Sequence, residues 1–145
     1  MTNKGRRLVV SAERCIGCRA CATVCPEGLV TLRDTNHRRT ISFAAVCEKD
    51  CDLCVKACPT EAITLSPVTA VMPEGGTGLS FEMQTCASCG APVVTIEMRA
   101  WLQEAIPTEV HTDAEGQEWL ALCPRCRREG EAQRVAREGI MTRWP

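Results

Sequence analysis

Four cysteines, Cys15, Cys18, Cys21 and Cys25, stand in the order C-x2-C-x2-C-x3-C and are followed by Pro26. This run restricts what the chain can fold around. Thiolates are soft ligands that suit the iron of iron–sulfur clusters. With two residues between ligands, the loop turns tightly enough for three of them to wrap one cube. The spacing is that of 4Fe–4S ligands. An approximate second copy, Cys47, Cys51, Cys54 and Cys58, ends in Pro59.

The two runs belong to a longer repeat. A shift of 33 residues places Cys18 on Cys51, Cys21 on Cys54, Cys25 on Cys58 and Pro26 on Pro59, and Val30-Thr31-Leu32 on Ile63-Thr64-Leu65. A repeat of this kind predicts a pseudo-twofold α+β unit with two clusters over residues 1–66. Within it, residues 5–10, 27–33, 38–43 and 62–65 read as strands, with a turn at Asp34–His37. The Gly- and Pro-rich stretch 67–80 reads as a linker.

A different module is expected over residues 81–128. Cys86/Cys89 and Cys123/Cys126 form two C-x2-C knuckles, and four thiolates so paired make a closed tetrahedral site, most often structural zinc. Mononuclear iron of the rubredoxin type has similar knuckles, and a metal-free pair is the third reading. Val93, Val94 and Ile96 suggest a strand, and Met98, Trp101, Leu102 and Ala105 fall at helical spacing before Pro107. A polar turn is expected at Asp113–Gln117, and residues 129–145 form a charged, helix-compatible tail.

Twelve cysteines in 145 residues, about 8%, reach the edge of disulfide-scaffold composition. The repeated C-x2-C groups argue for metal instead. With no tyrosine, two phenylalanines and three tryptophans, a large apolar core is not expected, and bound metal supplies folding energy. No signal-peptide core and no membrane-spanning window occur, so a cytoplasmic protein is expected, or one peripheral on the cytoplasmic face of a membrane complex. No nucleophile–base pair, phosphate loop or nucleotide fingerprint is present, and His37 and His111 are isolated. A non-catalytic electron-transfer role remains. Residues 97–118 carry six acids and one arginine, which disfavours a nucleic-acid partner.

The order of a dicluster ferredoxin, CIGCRACATVCP then CDLCVKACPTEAI, followed by CASCGAPVVTIEM and CPRCRRE, resembles one group of proteins. These are the small iron–sulfur subunits of formate hydrogenlyase and related energy-converting hydrogenases, relatives of the 23-kDa subunit of respiratory complex I. The resemblance covers residues 12–66 and 84–128. It implies a bacterial dicluster ferredoxin fold followed by a zinc-ribbon or rubredoxin-like module. It also implies catalytic and other iron–sulfur subunits as partners.

In two-cluster ferredoxins the fourth cysteine of each run ligates the other cluster. On that pattern Cys15, Cys18, Cys21 and Cys58 hold one cluster, and Cys47, Cys51, Cys54 and Cys25 the other. The four later cysteines hold one zinc or iron. The second run departs from the pattern, because Cys47-Glu-Lys-Asp-Cys51 is C-x3-C and lacks the loop glycine. An enlarged loop with Cys47 still ligating is expected, the alternative being a three-cysteine site with 3Fe–4S or with Asp50 as ligand. Glu48, Asp50 and Asp52 beside it are expected to lower that cluster's potential. Three other functional classes compete: a subunit of a molybdenum or tungsten oxidoreductase, a free ferredoxin carrier with a structural zinc module, and a redox-sensing zinc-ribbon regulator.

Overall fold

The computed structural model describes residues 5–68, 75–112 and 118–139. Its first half obeys the 33-residue repeat at the level of the backbone. Strand β1 (Arg6–Val10) pairs antiparallel with β5 (Ile63–Pro67), and β2 (Val30–Asp34) with β3 (Arg38–Phe43). The registers are related by the same shift: Leu8 faces Leu65 as Ile41 faces Leu32, and Val10 faces Ile63 as Phe43 faces Val30. Apolar residues alternate inward on each strand, and Leu8, Val30, Ile41, Phe43 and Ile63 meet in one core with Cys21 and Cys47. A short β4 (Val46–Cys47) adds to the other edge of β1.

Each half also carries one short helix, α1 (Ala20–Val24) and α2 (Leu53–Ala57). Each helix stops where Cys25 or Cys58 takes an extended conformation before its proline, as the steric demand of a following proline requires. Two residues beyond each proline the chain makes a left-handed turn, at Gly28 (φ 64°) and at Glu61 (φ 52°). Glycine adopts this conformation without penalty, whereas glutamate does not.

The second half is joined to the first by hydrogen-bonded strands. Strand β6 (Thr77–Thr85) pairs antiparallel with β3 and then with β7 (Pro92–Thr95), giving a four-stranded sheet ordered β2-β3-β6-β7. The stretch read as a linker over 67–80 therefore contains the end of β5 and the start of β6, while 69–74 lie outside the described residues. The glycines Gly76 and Gly78 concealed the start of β6. The alternation of Leu79, Phe81 and Met83, all facing inward, is the period-2 signal that marks the strand.

Ile96, expected on a strand, instead opens helix α3 (Ile96–Ala105), because Thr95 caps it by accepting the Met98 N–H. Met98 and Trp101 on this helix are half-buried. Helix α4 (Pro124–Glu138) begins just after Cys123 and ends at Gly139 in the left-handed region. The polar turn expected at 113–117 lies outside the described residues. Among the described residues, no helix is long and apolar enough to cross a membrane.

Candidate iron–sulfur and metal centres

The first ligand loop, Cys15–Cys18, sits between the two halves of the chain. Cys15, Cys18, Cys21 and Cys58 line one apolar cleft with Ile16, Ile41 and Ile63. Helical spacing puts Cys21 and Cys25 one turn apart, and Cys54 and Cys58 likewise. Each pair then leaves its helix through the same turn. The Leu29 N–H donates to Cys25 Sγ (3.4 Å) and the Ala62 N–H donates to Cys58 Sγ (3.2 Å), again 33 residues apart. Such bonds stabilise thiolate.

Burial and mutual repulsion act against ionisation elsewhere in the cleft. Burial, with the nearby Cys18, Cys15 and Cys58 sulfurs, pushes the Cys21 thiol up to about 11, and Cys15 is raised chiefly by burial. At Cys58 burial also acts upward, but the Ala62 N–H and the Thr60 hydroxyl outweigh it, and the thiol lies below its ordinary value. Cys15 and Cys21, kept protonated by burial in a cleft they share with two more cysteines, belong to a donor set that needs a cation or cluster to become thiolates. The set fits an iron–sulfur group.

The second group likewise has one buried and three half-buried cysteines. Cys54 is raised chiefly by burial and feels the sulfurs of Cys51 and Cys25. Cys47 is buried and belongs to the core with Cys21, whereas the Asp50 side chain is fully exposed. Two of the acids expected to lower the potential here have cationic neighbours. Asp50 lies 3.8 Å from Arg6 and Asp52 3.1 Å from Lys56.

Two features that the sequence reading missed hold the loops. Arg39, 4% exposed, donates from Nη1 to the Gly17 carbonyl at 2.7 Å and bidentately to Asp34 at 2.8 Å. Arg6 donates to the carbonyls of Lys49 (2.6 Å) and Cys51 (2.5 Å). The 33-residue shift that relates the cysteines also relates these arginines, and it was the signal that could have found them. The other feature comes from the second half of the chain. Fully buried Thr95 donates to the Ile16 carbonyl, and Thr95 and Phe81 both press on Gly17. Gly17 has φ 67°, and a Cβ there would lie 2.8 Å from Thr95 Cγ2.

The remaining four cysteines converge elsewhere. The Sγ atoms of Cys86, Cys89, Cys123 and Cys126 all lie within 4.8 Å of one another, and Cys89 and Cys123 are 3.7 Å apart. A tetrahedral zinc with Zn–S bonds of about 2.3 Å has sulfur–sulfur edges of about 3.8 Å, so this separation suits one metal ion. None of the twelve cysteines is disulfide-bonded.

The first knuckle is the turn between β6 and β7. It is closed by Cys86 N–H to the Ala91 carbonyl (2.7 Å) and by Gly90 N–H to the Cys86 carbonyl (2.9 Å). The second caps α4, and the Cys123 N–H donates to Cys86 Sγ at 3.2 Å. The N–H groups of Cys123 and Cys89 hold the Cys86 thiol down to about 6. At Cys126 the Ser88 hydroxyl also favours thiolate, but the Cys123 and Cys89 sulfurs prevail and push it up to about 12. Without a cation the set cannot be fully ionised at neutral pH.

His111 is half-buried and bonds the Ile106 carbonyl at 2.7 Å, and His37 is exposed. Neither joins a cysteine group.

This architecture defines an iron–sulfur protein with a separate four-cysteine centre. The family described as a 4Fe-4S binding domain matches residues 8–30. An uncharacterized ferredoxin of Methanocaldococcus jannaschii is 37% identical over 62 residues, 42% of this chain and 79% of the relative. The chain belongs to the 4Fe–4S ferredoxin family, whose function is iron–sulfur electron transfer.

A polyferredoxin protein of Methanothermus fervidus is 34% identical over 86 residues, 57% of this chain and 19% of the relative. One component of the anaerobic dimethyl sulfoxide reductase of Escherichia coli is 31% identical over 72 residues, 48% of this chain and 35% of that protein. The chain thus spans only a minor part of these two longer relatives.

Proposed function

We propose that this chain is the electron-relay subunit of a multisubunit oxidoreductase, hydrogenase- or formate-linked and related to complex I, carrying single electrons between two 4Fe–4S clusters. The observation that carries the two-cluster reading is the backbone repeat, which includes the paired N–H···S bonds at Cys25 and Cys58. We read the ligation as crossed, with Cys15, Cys18, Cys21 and Cys58 on one cluster and Cys47, Cys51, Cys54 and Cys25 on the other; the cleft that Cys58 shares with the first run and the nearness of Cys25 to Cys54 support this. The burial of Cys47 and the outward position of Asp50 favour a full four-cysteine set at the second cluster over a three-cysteine one.

The four-cysteine centre is read as structural zinc in a ribbon-like module, with mononuclear iron as the alternative. The proposed units remain a ferredoxin part over 1–66, a metal-knuckle part over 81–128 and a charged tail over 129–145. Between the first two, β6 serves as a shared strand. The subunit works beside catalytic and other iron–sulfur chains, on the cytoplasmic side, without binding nucleic acid.

A second reading has one observation in its favour. The likeness to a component of a dimethyl sulfoxide reductase supports a reductase complex, such as a molybdenum or tungsten enzyme, as the host. Anaerobic purification of the native protein tests both against a free carrier. Stable recovery with a large catalytic chain, whose cofactor then tells the two hosts apart, is the expected result. A monomer that exchanges electrons freely would contradict a subunit role.

A further inference from the structure

We propose that Arg39 and Arg6 are pseudo-equivalent positioning residues, each fixing one ligand loop and each setting the potential of the cluster that its loop holds. This rests on the two-cluster reading. The 33-residue shift maps Arg6 onto Arg39, and the carbonyls they bind map onto one another: Arg39 binds Gly17, and Arg6 binds Lys49 and Cys51 on either side of the equivalent position. The Gly17 carbonyl adjoins Cys18 in the first loop, and the Cys51 carbonyl belongs to Cys51 in the second.

The geometry also accounts for the irregular C-x3-C loop. Its extra residue leaves two carbonyls facing Arg6 in place of one, and a guanidinium has enough donors to bind both. A loop lacking the glycine of its counterpart is thereby held from outside.

The two arginines differ in setting. Arg39 is buried, and its charge is balanced by Asp34, whose carboxylate is about a third exposed. The positive end of that pair faces the first loop. Arg6 is partly exposed, and its nearest acid, Asp50, lies 3.8 Å away in solvent, where screening leaves little of the interaction. Reduction adds negative charge to a cluster, and a fixed cation near its ligands favours that state.

The test is an EPR-monitored redox titration of anaerobically prepared full-length protein, with iron and sulfide content measured on each sample. Wild type with about eight iron establishes the two-cluster reading, and a much lower value overturns that reading and this inference together. Given about eight iron, Arg39→Gln is expected to lower one potential by about tenfold in the reduction equilibrium, about 59 mV for one electron. Arg6→Gln is expected to lower the other. Asp34→Asn, which removes the balancing charge, is expected to raise the potential that Arg39→Gln lowers. Arg39→Lys should restore the potential better than it restores loop stability.

If Arg39→Gln does not assemble, Asp34→Asn and Arg6→Gln decide. The inference is overturned if both leave the two potentials unmoved at wild-type iron content, or if Arg39→Gln and Arg6→Gln move the same one.

Discussion

Thr95 donates its hydroxyl hydrogen to the Ile16 carbonyl while its oxygen accepts the Met98 N–H. One buried side chain thus ties the first cysteine loop to the helix that follows the first metal knuckle. The two cysteine systems are separated in sequence but joined in structure. Strand β7 leaves the knuckle and delivers Thr95 directly onto the loop between Cys15 and Cys18. The second half of the chain therefore covers the first loop, whereas the second loop carries exposed Glu48, Lys49 and Asp50.

Replacing Thr95 by valine removes both bonds at nearly constant volume. Loss of a cap costs about 1 kcal/mol, and a buried carbonyl left without a donor about 1–3 kcal/mol. Thr95→Val is expected to lower unfolding stability by about 2–3 kcal/mol in denaturant titration of the metal-loaded protein, while Thr95→Ser stays close to wild type. Equal losses for the two variants would place the effect in packing rather than in the hydroxyl.

The glycines divide cleanly. Gly17→Ala must both hold φ 67° and fit a Cβ against Thr95 and Phe81, whereas Gly28→Ala, at φ 64°, meets nothing within 4 Å. Gly17→Ala is expected to lose about half the bound iron, one cluster of two. Gly28→Ala should keep all of it at a cost of about 1–2 kcal/mol for the left-handed backbone. The reverse change at the equivalent position, Glu61→Gly, is expected to stabilise by about 0.5–1 kcal/mol.

The four-cysteine centre should release its metal as pH falls. In the metal-free site Cys126 is held up at about 12, so at neutral pH a binding ion displaces its proton, and affinity rises with pH. Competition with a chromophoric chelator between pH 6 and 8 is expected to show about a tenfold gain in affinity per pH unit for each proton displaced. A flat profile would mean that the thiols are already ionised. Loss of this metal should leave the iron content unchanged.

Crossed ligation has its own signature. Cys58→Ser is expected to reproduce the EPR changes of Cys15→Ser, 43 positions away in sequence, and not those of Cys47→Ser. The opposite grouping would assign Cys58 to its own run.

The cysteine spacing and the 33-residue repeat were enough to read the ferredoxin half, because its paired strands follow the same repeat. What escaped was non-local. Strand β6 was hidden by glycines, and its partner β3 lies about 40 residues upstream in the chain. Ile96 looked like strand because its neighbours are β-branched, and only the Thr95 cap turned it into a helix start. The 33-residue shift pairs Arg6 with Arg39, but a sequence does not reveal that loop carbonyls stand opposite them. Thr95 gave no signal at all, because its partner at residue 16 is fixed only by the tertiary fold.

On the proposed reading the chain carries two cubane clusters beside one mononuclear centre. Metal and acid-labile sulfide analysis of protein isolated without exposure to oxygen tests it most directly. About eight iron and about eight sulfide per chain are expected, with about one further metal ion held by the four later cysteines. Near-zero iron, or zinc filling all three cysteine groups with no sulfide present, would contradict it.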